Sequence, residues 1–113
     1  MKEKIKNKQK SKLAYSNYIV KDLSYFDFKI KKLEIFGNYE IEKNKVLKIT
    51  TDTIKKFLKI DKDIDFLIVY YYPTDKNMEN HEALCSLFLN KEFFEDNLID
   101  LKILKKIQWY GNL

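Results

Sequence analysis

Arginine is absent from the sequence, and glycine, proline, cysteine and histidine are scarce. Among 113 residues there are two glycines, one proline, one cysteine and one histidine. Glycine-rich phosphate-binding loops cannot be built from two isolated glycines, and one cysteine forms no internal disulfide. Without arginine, the chain lacks the planar group that reads guanine edges in DNA. These absences argue against nucleotide-binding loops, disulfide scaffolds and sequence-specific recognition of DNA.

Long apolar runs are also missing. No stretch approaches the roughly eighteen apolar residues of a membrane span, and no apolar block follows the basic start as in a secretory signal. The lone cysteine suits a reducing compartment. We therefore expect a cytoplasmic protein with no membrane contact.

The residues that are abundant share one property of their codons. Lysine, isoleucine, asparagine, phenylalanine and tyrosine supply 60 of the 113 residues, whereas glycine, alanine, arginine and proline supply 5. Codons of the first group are AT-rich, so the composition is typical of an AT-rich bacterium or phage. Lysine abundance is therefore weak ground for assigning a function.

The positive charge is concentrated at the N-terminus. Residues 1–12 contain six lysines and one glutamate, whereas residues 13–113 contain sixteen lysines and sixteen acids. We therefore expect a flexible basic tail over residues 1–12 and a single domain over residues 13–113. Non-specific contact with nucleic acid through this tail stays open as a function. The lysines concerned are Lys2, Lys4, Lys6, Lys8, Lys10 and Lys12.

Apolar periodicity predicts an α+β fold. Alternation between residues 18 and 50 indicates strands, with a bulge or a tight turn at Lys31–Lys32, of which we favour the bulge, and a hairpin turn at residues 42–45. Helical spacing follows and predicts a short helix over residues 52–60, capped by Thr51 or Asp52. The expected architecture is one small domain in which an antiparallel sheet of about four to five strands carries helices on one face.

The second half of the chain continues this pattern. Residues 66–73, FLIVYYYP, form a continuous apolar run that predicts an interior strand. Residues 83–90 fit a strand that pairs back on it, with a helix as the alternative. Helices are predicted from residue 91 onward. Their apolar face would hold Leu101, Leu104 and Ile107.

His81 and Cys85 are the residues best suited to chemistry. They lie four positions apart, but a zinc site needs three or four protein ligands, so neither a metal nor a cofactor is predicted. A cysteine–histidine nucleophile here would make the chain a small enzyme, which we keep as a second alternative. Because Cys85 lies within the apolar stretch ALCSLFL, a buried and unreactive thiol is the expected state.

The aromatic content favours protein binding. Tyrosine and phenylalanine together number sixteen, and tyrosine supplies large contact area at low entropic cost. In the strand at 66–72, the face with Tyr70 and Tyr72 is more aromatic than the face with Leu67 and Val69. The aliphatic face is predicted to lie against the helices, which leaves the aromatic one exposed. Tyr70 and Tyr72, with Met78 in the following loop, are the predicted partner contacts.

The sequence therefore predicts a small non-enzymatic protein-binding module. An inhibitor, immunity or antitoxin-like factor that occludes a partner protein fits its composition, although that step is an analogy. A nucleic-acid-associated protein that uses the lysine tail is the first alternative, and an enzyme with a site near His81 and Cys85 is the second. A homodimer is also left open.

Overall fold

The fold is built on one five-stranded sheet, seen in a computed structural model that describes residues 17–94 and 99–111. The strands lie side by side in the order of the chain. The α+β class and the predicted number of strands are confirmed. The strands are β1 (Asn17–Asp22), β2 (Ile30–Phe36), β3 (Phe66–Tyr71), β4 (Cys85–Asn90) and β5 (Gln108–Trp109). The helices are α1 (Lys43–Ile60), α2 (Asp75–Glu79), α3 (Lys91–Phe94) and α4 (Ile99–Lys106).

The sheet is mixed. β1–β2, β3–β4 and β4–β5 are antiparallel pairs, whereas β2 and β3 run parallel. The predicted wholly antiparallel sheet is therefore wrong at this one pair. Parallel neighbours require a crossover of about a dozen residues or more, and α1 provides it.

Helix α1 replaces the hairpin that was predicted at residues 42–45. Its buried side chains recur three and four positions apart, which is a helical spacing that starts well before residue 52. Glu42 occupies the N-cap position without a capping side-chain hydrogen bond, so the usual start signal is missing there. The predicted return strand is therefore wrong, because Leu47 and Ile49 both lie within this helix. The buried residues are Val46, Ile49, Thr50, Thr53, Ile54, Phe57 and Leu58.

Strand β2 contains no bulge. Its pairing with β1 and with β3 runs without interruption, so the bulge predicted at Lys31–Lys32 is wrong. The three-residue step from Ile30 to Leu33 arises because the two side chains occupy opposite faces of the sheet. Leu33 is fully buried, whereas Ile30 is only partly covered.

The core lies between the sheet and helices α1 and α4, which share one side of it as predicted. Within α4, Ile103 is buried and Leu104 is 54% exposed, so the predicted inward position of Leu104 is wrong. None of the described helices is long and apolar enough to cross a bilayer. The sheet contributes to this core Leu33, Ile35, Leu67, Val69, Tyr71, Cys85, Leu87 and Leu89.

Candidate functional site

The other side of the sheet, which we call the open face, faces away from the helices. Successive side chains of a strand point to opposite faces of a sheet, so every second residue of each strand lies on the open face, next to its partners in the neighbouring strands. On the four longer strands its residues include Ile19, Lys21, Ile30, Lys32, Glu34, Phe66, Ile68, Tyr70, Ser86 and Phe88. The predicted split of β3 into an aliphatic face under the helices and a second face turned away from them is confirmed.

A buried carboxylate lies at the centre of the open face. Glu34 is 3% exposed, and its oxygens lie 3.0 Å from Nζ of Lys21 and 3.5 Å from Nζ of Lys32. The hydroxyl of Tyr72 donates a hydrogen bond of 3.2 Å to the same carboxylate. Burial alone would raise the pKa of Glu34, but the two lysines outweigh it and hold the pKa below its usual range. The carboxylate is therefore charged at neutral pH and paired with the two lysines.

Tyr70 and Tyr72 have different environments. Their rings stack with centroids 6.2 Å apart, and Nζ of Lys32 lies 5.0 Å from the centroid of the Tyr70 ring. Tyr72 is 3% exposed, and burial raises its pKa to about 12. The predicted exposure of Tyr72 is therefore wrong. Its hydroxyl is hydrogen-bonded to the buried Glu34 and does not face solvent. Tyr70 is only half-buried and stays a candidate contact.

The end of the open face remote from this carboxylate is apolar and exposed. Phe88 is 60% exposed and Phe66 40%. Together with Ile30 and Ile68 they line a shallow groove of about 160 Å³, with only apolar surface; we call it the apolar groove. Because Ile68 pairs with both Lys32 and Phe88 across the sheet, the groove runs over three strands.

The turn between β1 and β2 extends the apolar groove. We call residues 23–28 the hairpin tip. Tyr25 and Phe28 exchange two backbone hydrogen bonds of 3.0 Å, which leaves a two-residue turn of Phe26 and Asp27. Phe26 has a φ of +56° and is 88% exposed. Glycine, asparagine or aspartate is favoured where such a turn needs a positive φ, so a phenylalanine here is unusual.

The hairpin tip lies on the open-face side of the sheet. The backbone amide of Leu23 donates to the carbonyl of Ile30 at 2.9 Å, so the β1–β2 register continues into the tip. Alternation then places Leu23, Tyr25 and Phe28 on the same face as Ile30. The tip and the groove therefore adjoin on this side of the sheet, where Phe28 precedes Ile30 of the groove by two positions. The sequence did not predict this turn, because the alternation of Phe26, Phe28 and Ile30 indicates a half-buried strand. In addition, residues 23–27 contain no glycine or proline that would mark a turn.

The remaining predicted contacts lie elsewhere or outside the described residues. Met78 lies on α2 and is half-buried. The six lysines of residues 1–12 fall outside the described part of the chain.

Cys85 and His81 do not form a reactive pair. Cys85 is 1% exposed, and burial raises the pKa of its thiol to about 12. The expected buried thiol is thus confirmed, and it is not a thiolate at neutral pH. His81 is exposed, with a φ of +59°. Within residues 17–94 and 99–111, no group of three histidine, cysteine or acidic side chains could hold a metal ion.

Comparison with known proteins gave no relative. No family model, no curated protein and no solved structure matches the chain.

Proposed function

We propose that the chain is a non-enzymatic protein-binding module that acts by occluding a partner protein, as inhibitors, immunity factors and antitoxins do. The observation that supports this function is the apolar surface formed by the hairpin tip and the apolar groove. Soluble monomers rarely expose contiguous apolar patches larger than a few hundred Å². The exposed aromatic residues of the tip and groove are most simply explained by a partner that covers them.

The composition of the surface fits a protein interface. Aromatic residues dominate its centre, and lysines and acids border it, which is the usual anatomy of an interface with a dry centre and a polar rim. Tyr70 lies beside the groove under the ammonium group of Lys32. The partner would present an apolar, concave surface to the tip and polar groups to this rim.

The residue that follows the hairpin tip, Lys29, is tied to the segment before β3. The backbone amide of Lys29 donates to the carboxylate of Asp65 at 2.9 Å, and the amide of Asp65 donates back to the carbonyl of Lys29 at 2.7 Å. The Lys29 ammonium group forms an ion pair with Asp63. A tip that is ordered before binding loses less entropy in a complex, which favours affinity.

The two alternatives have less support. The buried thiol of Cys85 opposes a cysteine nucleophile, and the charge balance outside residues 1–12 opposes a basic binding surface on the domain. Contact of the lysine tail with nucleic acid stays a separate prediction.

The experiment is affinity capture from the host with and without nuclease. We expect the wild-type chain to retain one protein partner after nuclease treatment. Phe28→Ser and Phe88→Ser should each weaken that binding by at least about tenfold, because both remove exposed aromatic area from the same surface. Ile41→Ser is the control, since Ile41 is exposed but lies outside the tip and groove. Loss of every captured protein on nuclease treatment would favour the nucleic-acid alternative instead.

A further inference from the structure

The hairpin tip offers an exposed ring, and the apolar groove offers a depression of about the size of one ring. The tip projects Phe26 almost fully into solvent, and the groove is a shallow apolar depression of about 160 Å³. An apolar cavity of about 150 Å³ is large enough to bind benzene, so the groove can accept one phenyl ring. The tip cannot fill the groove of its own chain in this structure, because Phe66 and Phe88 stay exposed there.

We infer that a second copy of this chain covers this surface. In a two-fold dimer, Phe26 of each chain would enter the apolar groove of the other chain. In a two-fold interface, a contact between patch A of one chain and patch B of its partner is always accompanied by a contact between patch B of the first chain and patch A of the partner. The open-face side carries both the exposed aromatic residues Tyr25 and Phe28 of the tip and the apolar groove, so one surface of each chain can supply both halves of such a contact.

The available area is sufficient for a dimer. Aromatic side chains bury roughly 150–250 Å² each, so the exposed fractions of the aromatic residues at the tip and groove amount to about 600 Å² per chain. A specific interface buries about 800 Å² per partner, and the open-face residues beside the groove supply the remainder. These aromatic residues are Tyr25, Phe26, Phe28, Phe66 and Phe88.

Charge supports the same arrangement. Asp27 stands next to Phe26 at the tip and forms no ion pair within the described ranges. Lys32 borders the groove, because it pairs with Ile68 across the β2–β3 ladder. Insertion of Phe26 into the partner groove would therefore bring an unpaired acid towards a lysine. An acid at the tip also disfavours an anionic membrane as the occupant.

This inference does not rest on the proposed function, because a dimer needs only this chain. The same surface cannot serve a second copy and a different protein at once. Self-association would therefore compete with binding of the partner. If the chain proves monomeric, the proposed function still stands, since the surface would then be open to the partner alone.

Sedimentation velocity of the full chain over a dilution series tests the dimer. We expect a concentration-dependent dimer in the wild type. Phe26→Asp and Ile68→Asp should each raise the dissociation constant at least about tenfold. Tyr39→Asp is a matched control, because Tyr39 is another exposed aromatic residue with a positive φ, at +64°, but lies outside the tip. Circular dichroism checks that each variant is folded.

A mixture of the two variants tests the reciprocal contact. In a mixture of the two variants, the unaltered tip of the Ile68→Asp chain can still enter the unaltered groove of the Phe26→Asp chain. A mixed dimer therefore keeps one of its two contacts intact. We therefore expect the mixture to regain part of the dimer that each variant lacks alone. A wild type that is monomeric up to about 200 μM would overturn the inference, since interfaces of this size reach micromolar affinity. So would a dimer that tolerates both substitutions, or a mixture without recovery.

Discussion

Two exposed aromatic residues, Phe26 and Tyr39, hold positive φ angles of +56° and +64°. The left-handed region costs a residue with a Cβ roughly 1–2 kcal/mol. Both side chains are largely exposed, so burial does not offset this cost; the Phe26 ring makes an edge contact with Tyr25, with centroids 4.4 Å apart. Such strain persists at positions where function requires a particular side chain. At Phe26 this supports a role for the ring in contacts with another molecule.

Phe26→Gly should therefore stabilise the isolated domain. We expect an increase in the free energy of unfolding of up to about 1 kcal/mol, because glycine adopts a positive φ without strain, although it gains more entropy on unfolding. Urea denaturation at low protein concentration measures the change. Tyr39→Gly should act in the same direction. A lower stability of Phe26→Gly would mean that the edge contact between Tyr25 and Phe26 outweighs the strain.

Cys85 should report unfolding. Its thiol is buried under the helices and has a pKa of about 12, so a thiol reagent should react only as fast as the chain unfolds. Cys85→Ser should lower the free energy of unfolding by about 1–3 kcal/mol, because a hydroxyl replaces an apolar group in the core. Labelling rates at increasing urea test the first statement. Rapid labelling of the folded chain would contradict it and revive the enzymatic alternative.

Glu34 should make the stability depend on pH in the acidic range. Its pKa is lowered in the folded state, so its contribution is present above the usual value of about 4.3 and is lost as the pH falls below it. Glu34→Gln should be less stable than the wild type at pH 7, and the difference should shrink towards pH 3. Thermal unfolding of both proteins across this range measures it. A difference that stays constant with pH would show that the charge of Glu34 does not matter.

At the scale of elements, β3 was the easiest to predict and α1 the hardest. The run FLIVYYYP combines β-branched and aromatic residues in a short apolar stretch, which few helices do. Helix α1 lacks a capping side chain at Glu42, and alternating residues such as Leu47 and Ile49 also fit a strand. The hairpin tip was not predictable, because its turn uses a phenylalanine where sequence rules expect glycine or asparagine.

The environments of Tyr70 and Tyr72 could not be predicted either. Alternation placed both on one face, but only the pairing of β2 with β3 puts Glu34 beside Tyr72. That pairing joins residues more than thirty positions apart, which local pattern does not reveal. Alternation therefore placed the two tyrosines on the same face of β3, but it did not reveal that Tyr72 is buried.

The two tyrosines should respond differently to truncation. Tyr72→Ala should lower the free energy of unfolding by about 3 kcal/mol or more, because it removes a buried ring and the hydroxyl that donates to Glu34. Tyr70→Ala should cost less stability, since its ring is partly in solvent, and should weaken partner binding by roughly 1–3 kcal/mol. Melting temperatures and binding measurements separate the two effects. Equal losses of stability would place Tyr70 in the core as well.

At the scale of the whole molecule, charge and apolar surface are separated. Residues 1–12 carry the entire net charge of +5, whereas the aromatic surface lies on the domain. Electrostatic attraction acts over about 10 Å at moderate salt, and apolar contact acts only at the surface itself. The two features can therefore be removed independently.

Deletion of residues 2–12 should abolish binding to non-specific DNA or RNA and leave the fold intact. The reason is that the remaining chain is nearly neutral and loses little apolar area. Filter binding at low salt and circular dichroism measure the two outcomes. Phe88→Ser serves as the converse control, because it should leave nucleic-acid binding unchanged. Binding that survives the deletion would place the contact on the domain.

The single parallel pair also bears on how fast the chain folds. Ile30 pairs with Phe66, 36 positions later, whereas β3 and β4 first meet at Tyr71 and Cys85, 14 positions apart. Closing the longer loop costs about 1 kcal/mol more chain entropy, and such non-local contacts slow folding. Helix α1 occupies half of that loop, so forming it early shortens the segment that must search for its partner. The segment that begins like a hairpin in sequence thus becomes the helix that favours rapid assembly of the sheet.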